Sequence, residues 1–199
     1  MSEIEHNTAH SPANNLGDND LKVRKTIVMV GMMGAGKTAV GRALAVRLGV
    51  PFLDSDAEIE SAANMSIPEI FERDGEPFFR AKESQVIGRL LEDTCCVLST
   101  GGGAFLSPEN RAMISERGAS VWLKADLDVL WNRVRHKDTR PLLRTSDPRA
   151  TLRALYEARV PLYAQADLIA VSDGEASIEE MVDRVIEVLK TRPDVVEQG

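Results

Sequence analysis

The segment Gly31-Met-Met-Gly-Ala-Gly-Lys37-Thr38 follows the apolar run Thr26-Ile-Val-Met-Val30 and opens a stretch with helical periodicity. A buried strand, a glycine-rich turn and a helix in that order constrain this chain more than any other feature. Backbone N–H groups in such a turn can wrap a phosphate, because glycines permit the tight path and close approach that bulkier residues would block. Lys37 supplies positive charge to the outer phosphates, and the Thr38 hydroxyl is suited to ligate Mg²⁺. The helix that follows adds the positive end of its dipole.

Beyond this turn, strand and helix signals alternate. Val40, Leu44 and Leu48 form a helical stripe ended by Gly49, and Phe52-Leu53 is a short second strand running into Asp54-Ser55-Asp56. Ser66-Ile-Pro-Glu69 is a capping box that opens a helix through Arg73, and another helix runs from about Pro77 towards Glu92. A third strand, Cys95 to Ser99, exits into Gly101-Gly102-Gly103. Ser107-Pro108 starts a helix closed by Gly118, and Ser120 to Leu123 is a fourth strand. Asp126 and Asp147-Pro148 cap two further helices, Leu168 to Val171 is a fifth strand, and Ile178 to Leu189 is the last helix. Such alternation predicts an α/β fold, a five-stranded parallel sheet covered by helices on both sides, with ligands beyond the carboxyl ends of the strands. Lys37/Thr38, Asp54/Asp56 and the triple glycine should therefore converge.

The 199 residues suit one such domain, expected over residues 23–191. Residues 1–22 are rich in Asn, Ser, His, Asp and Glu without apolar periodicity and read as a disordered tail; His6 and His10 there lack a third ligand. Residues 192–199 read as a loose carboxyl tail. No apolar run approaches the ~20 residues needed to cross a bilayer. A formal charge of −7 disfavours broad nucleic-acid binding, so an anionic ligand must be met by local positive charge. Adjacent Cys95 and Cys96 read as reduced core thiols, which favours the cytoplasm. No sustained heptad asks for a partner helix, which favours a monomer.

Asp54 and Asp56 are the next informative pair. One carboxylate near Thr38 can hold Mg²⁺ directly or through water, and the other can accept a substrate hydroxyl proton; alternatively Asp56 caps a helix beginning at Ala57. Arg80, Arg140 and Arg159 stand out in an acidic chain, since a guanidinium grips a carboxylate with two parallel hydrogen bonds. The segment at about residues 136–147, which carries Lys137, Arg140 and Arg144 without an apolar period, reads as a mobile lid between two helices.

Several motifs, in order, resemble the shikimate kinase family. They are Gly31 to Thr38, Phe52-Leu-Asp-Ser-Asp56 with Glu58-Ile-Glu60, Ser66-Ile-Pro-Glu-Ile-Phe71, Gly75-Glu with Phe79-Arg80 and Glu83, Gly101-Gly-Gly103, Arg140-Pro-Leu-Leu143 and Arg159-Val-Pro-Leu-Tyr163. The resemblance covers about Lys25 to Leu189. It implies a three-layer P-loop kinase fold with strand order 2-3-1-4-5, and ATP- and Mg²⁺-dependent phosphorylation of the 3-hydroxyl of shikimate on the route to chorismate and aromatic amino acids. By the same resemblance, Asp56, Arg80, Gly102, Gly103 and Arg159 contact shikimate, and Arg140 comes from the lid towards both substrates. Gly34, Ala35, Gly36, Lys37, Thr38 and Ala39 hold the nucleotide phosphates, and Arg133, or its neighbour Arg135, lies against adenine. Asp54 replaces the missing Asp of the second nucleotide-binding motif at Val97-Leu-Ser-Thr100, reaching Mg²⁺ through water.

Lys37, Asp56 and Arg140 are then the expected catalytic residues. A reference aspartate pKa of about 3.9 makes Asp56 a late proton acceptor that first orients the hydroxyl. A gluconate kinase-like enzyme and a non-enzymatic nucleotide switch are the competing readings. The first should carry a histidine-rich substrate motif, and the second should carry partner-coupling elements.

Overall fold

The computed structural model describes residues 20–137 and 141–199. The expected tail up to residue 19, and Arg140 of the expected lid, lie outside the described residues.

The apolar run Thr26–Val30 (β2) is buried at all five positions because it has a parallel neighbour on each side. β1 (Leu21–Val23) precedes it, and β3 (Phe52–Asp54), β4 (Val97–Ser99), β5 (Gly118–Ala125) and β6 (Leu168–Ser172) complete the main sheet in the order β3-β4-β2-β5-β6. Counted along the five strands of that sheet, this is the expected 2-3-1-4-5 order. In register, Asp54 lies beside Ser99, Ser99 beside Met29, and Val30 beside Trp122, so the loops leaving β2, β3 and β4 emerge together.

Helices α1 (Lys37–Leu48), α2 (Ser55–Ala63), α3 (Ile67–Asp74), α4 (Glu76–Asp93), α5 (Pro108–Arg117), α6 (Leu127–Val134), α7 (Pro148–Tyr163) and α8 (Ile178–Leu189) flank the sheet. α1 and α8 pack on one another, whereas α5 packs on β5 and α4, and α2 and α3 pack on α4. The Ser66/Glu69 capping box forms as expected, and Ser177/Glu180 forms a second. Among the described residues, no helix is long and apolar enough to cross a membrane.

Three local expectations change. Asp54, not Asp56, caps α2: its Oδ1 accepts from Ala57 N–H at 3.1 Å, so the helix starts at Ser55 and Asp56 lies in its first turn. Gly118 ends α5 but has extended backbone and opens β5; a Cβ there would lie 2.6 Å from the Thr26 carbonyl oxygen. Its small size is required by close approach to β2.

The third change concerns residues 192–199, expected to be loose. β7 (Val196–Gln198) pairs antiparallel with β1, and Gly199 N–H donates to the Asp20 carbonyl at 2.7 Å. This pairing takes in Asp20, Leu21 and Lys22 of the expected 1–22 tail. Val195 and Val196 are buried with Leu21, and Arg24 pairs with Glu197. Two three-residue strands from opposite ends of the chain carry no local periodicity, so their partnership is invisible until the ends meet. Burying two valines contributes about 3 kcal/mol. Removing residues 193–199 should therefore lower the melting temperature by about 6–12 °C. A change under about 2 °C in thermal denaturation would mean the ribbon does not stabilise the domain.

Candidate active site

The turn between β2 and α1 is built around positive-φ glycines. Gly34 has φ +80°, and a Cβ there would also sit 2.7 Å from Val134 Cγ1, so neither strain nor space admits a side chain. Lys37 folds back across this turn, and its Nζ donates to the carbonyls of Gly31 (2.8 Å) and Met32 (3.0 Å). α1 has no acidic residue in its first turn, so the positive end of its dipole is not offset by a local carboxylate.

Arg133 reaches the turn from the opposite wall. Its Nη1 donates to the Gly34 carbonyl at 3.1 Å and its Nη2 to Ser172 Oγ at 3.1 Å, tying the turn to β6. Arg135 is exposed and lines a separate depression with Trp131 and Leu143, so of the two arginines Arg133 borders the phosphate turn. A cleft of about 560 Å³ runs from Gly34 to Ala39, past Asp54 and Asp56, to Gly101 and Gly102, with Arg133 on its wall. Thr38 and Asp54 line the same cleft. No cluster of three or more His, Cys, Asp or Glu forms a metal cage among the described residues. A hydroxyl and one carboxylate fit Mg²⁺, which draws most of its remaining oxygens from phosphates and water.

The triple glycine brings the other candidate residues together. A Cβ on Gly101 would lie 2.9 Å from Asp56 Oδ1, one on Gly102 3.1 Å from Arg159 Nη1, and one on Gly103 2.5 Å from both terminal nitrogens of Arg80. Three consecutive residues therefore meet side chains from α2, α7 and α4. The guanidiniums stand along this segment, beyond the lining of the main cleft.

Burial, followed by the charges of Asp54, Glu83 and Glu60, pushes the Asp56 carboxyl up to about 6, against a counteracting pull from Lys37. This corrects the expectation of an ordinary aspartate: the group titrates near the range where a general base works best. Two supporting residues had no role assigned from the sequence. Glu83, 1% exposed, accepts from Arg80 Nη1 at 2.9 Å, and Arg80 also approaches Glu76 at 3.4 Å. The i, i+3 spacing of Arg80 and Glu83 on a helix was the available signal. Tyr163, fully buried, donates from Oη to the Gly102 carbonyl at 2.6 Å.

A family model described as shikimate kinase matches residues 33–190. The chain is 76% identical over 197 residues to the shikimate kinase of Ruegeria pomeroyi, covering 99% of each. It is 72% identical over 176 residues to that of Cereibacter sphaeroides, covering 88% of each. A solved shikimate kinase from Acinetobacter baumannii, in complex with shikimate, is 38% identical with a TM-score of 0.77, covering 84% of this chain and 93% of that one. A gluconokinase from Sinorhizobium meliloti, 19% identical with a TM-score of 0.56, shares the fold alone. The gluconate-kinase and nucleotide-switch readings give way to an ATP-dependent kinase of the shikimate type. The chain belongs to the shikimate kinase family.

Proposed function

We propose that this site moves the γ-phosphoryl group of ATP to the 3-hydroxyl of shikimate, giving shikimate 3-phosphate and ADP, with Asp56 opposite a double arginine clamp. One observation carries this assignment of roles: Asp56, Arg159 and Arg80 abut Gly101, Gly102 and Gly103 in turn. Three successive residues span at most about 7 Å between their outer Cα atoms, a length on the scale of a six-membered-ring acid. The clamp takes the carboxylate and the aspartate takes the hydroxyl.

On the nucleotide side, Gly34, Ala35 and Gly36 offer backbone N–H groups, with Lys37, Thr38 and Ala39 at the start of α1. Lys37 exchanges the Gly31 and Met32 carbonyls for phosphate oxygens. Thr38, and Asp54 through water, would hold Mg²⁺, which when bound offsets charge on the β and γ oxygens. Arg133 flanks the base while it braces the turn. Arg140, which the sequence reading places in a lid, is assigned to the charge that develops during transfer, so it acts in the transition state more than in shikimate binding. Asp56 aims the alcohol and takes its proton late, as a loose phosphoryl-transfer transition state requires. The enzyme works as a cytoplasmic monomer; Cys95 and Cys96, both free thiols, suit a reducing compartment.

Following ADP release with shikimate and with gluconate tests the acceptor, and gluconate should give only background turnover. Arg80→Ala should raise the shikimate KM about 10- to 100-fold, whereas Arg140→Ala should lower kcat by roughly 10³. Methyl shikimate used as well as the acid would remove the reason for the clamp. Below pH about 6 protonation of Asp56 should depress kcat/KM about tenfold per pH unit.

The same carboxyl has a stability signature. Its folded pKa lies above the ordinary value of 3.8, so its charge costs nothing below pH about 4, and the cost grows as pH rises through about 6. At pH 8 that cost reaches as much as roughly 3 kcal/mol in the unliganded enzyme. Asp56→Asn should melt several degrees above the parent at pH 8 and level with it at pH 4, while losing phosphorylation of shikimate. An equal or lower melting temperature at pH 8 would contradict the strained-carboxylate account.

A further inference from the structure

We propose that Tyr163 is a positioning residue for the acid substrate, its hydroxyl fixing the Gly102–Gly103 peptide against which the arginine clamp works. This rests on the assignment of Gly103 and Arg159 to substrate binding.

Three glycines in succession form the least restrained backbone a chain can offer, yet this segment must hold its shape between Asp56, Arg159 and Arg80. Its carbonyls show how it does so. Gly101 accepts from Ala104 N–H at 3.1 Å and Gly103 from Leu106 N–H at 3.2 Å, both local bonds of a 3-10 turn. Gly102 accepts from Tyr163 Oη at 2.6 Å, the one tertiary bond to these three carbonyls among the described residues. In a trans peptide the Gly102 C=O and the Gly103 N–H point in opposite directions. Holding the oxygen on Tyr163 therefore turns the Gly103 N–H away from Tyr163 and fixes its direction.

The phenol is in turn rigidly placed. Its ring is fully buried, stacked on Phe105 with centroids 6.4 Å apart and tilted against Trp122 at 6.2 Å. Arg159 precedes it by one turn of α7, and its guanidinium interacts with the same hydroxyl. A Cβ on Gly102 would lie 3.1 Å from Arg159 Nη1 and 3.8 Å from Tyr163 Oη, so guanidinium, phenol and glycine meet at one point. Burial of the ring needs only an aromatic; the hydroxyl is needed for the peptide and the arginine.

Steady-state kinetics of Tyr163→Phe, with Arg159→Ala and Phe105→Leu beside it, test this. Tyr163→Phe keeps the ring and should raise the shikimate KM about tenfold, with the ATP KM within about twofold and kcat falling less than KM rises. Phe105→Leu loosens the same aromatic wall but keeps the hydroxyl; it should lower the melting temperature more than Tyr163→Phe does and raise the shikimate KM clearly less. An unchanged shikimate KM in Tyr163→Phe, with Arg159→Ala raising it strongly, would overturn the role of Tyr163 alone. No effect of Arg159→Ala would overturn both the clamp and the positioning residue that serves it. Equal rises in the KM for shikimate and ATP, or an equal shikimate effect from Phe105→Leu, would reduce Tyr163 to a packing residue and overturn the proposal.

Discussion

Close approach at three consecutive backbone positions is the constraint on which the convergence of Asp56, Arg159 and Arg80 depends. Any Cβ at Gly101, Gly102 or Gly103 would meet Asp56, Arg159 or Arg80 at 3.1 Å or less, so ordinary side chains there would push the polar groups away from one another. The residues held at this segment come from three helices that share no sequence neighbourhood. Their common reference is a short bend after β4, a strand whose three residues are all buried. Because β4 lies between β3 and β2, the bend takes its position from the middle of the sheet, not from an exposed loop.

Charge and burial together put the Asp56 carboxylate under electrostatic strain. Asp54, Glu60 and Glu83 all disfavour the ionised form of Asp56, and Lys37 offsets them only in part. Glu83 is itself buried, and desolvation raises its pKa against the pull of Arg80. A buried carboxylate that lost its guanidinium would carry an uncompensated charge, so Glu83 and Arg80 stand or fall as a pair. An anionic ligand bound beside Lys37 would change this field from the side of the glycine turn. The basicity of Asp56 is therefore a property of the filled cleft as much as of its own neighbours.

The nucleotide half was legible because its signals are local: an apolar run, a glycine turn and a helical stripe occur within one stretch of chain. The residues that converge on the triple glycine were legible as a list from the motifs they sit in, but not as a geometry. Spacing alone offered only Asp56 as a cap, for a helix beginning at Ala57, and backbone direction decided otherwise: Asp54 ends β3 and its carboxylate can turn back on Ala57, whereas Asp56 already lies in the helix. Tyr163 read as part of a motif and not as a contact, since its partner Gly102 is distant in sequence. The pairing of β1 with β7 was hidden for the same reason. Ser172 gave no sign of holding Arg133 until β6 was placed beside the phosphate turn.

The two halves are joined by more than a shared sheet. A Cβ on Gly31, the first residue of the phosphate turn, would lie 3.3 Å from Trp122 Cδ1, and the Trp122 ring meets that of Tyr163. A continuous aromatic wall thus runs from the start of the nucleotide loop to the carbonyl of Gly102. Side chains at this density cannot slide independently, because a gap of even part of an ångström forfeits much of their contact energy. Ring packing on β5 and α7 therefore adds to the β2–β4 pairing in fixing the distance between phosphate turn and glycine segment. In-line transfer tolerates little error in that distance, since a misplacement of about 1 Å can cost 10²-fold in rate. The buried rings therefore help to hold the phosphate turn and the glycine segment at a fixed spacing although none of them carries charge.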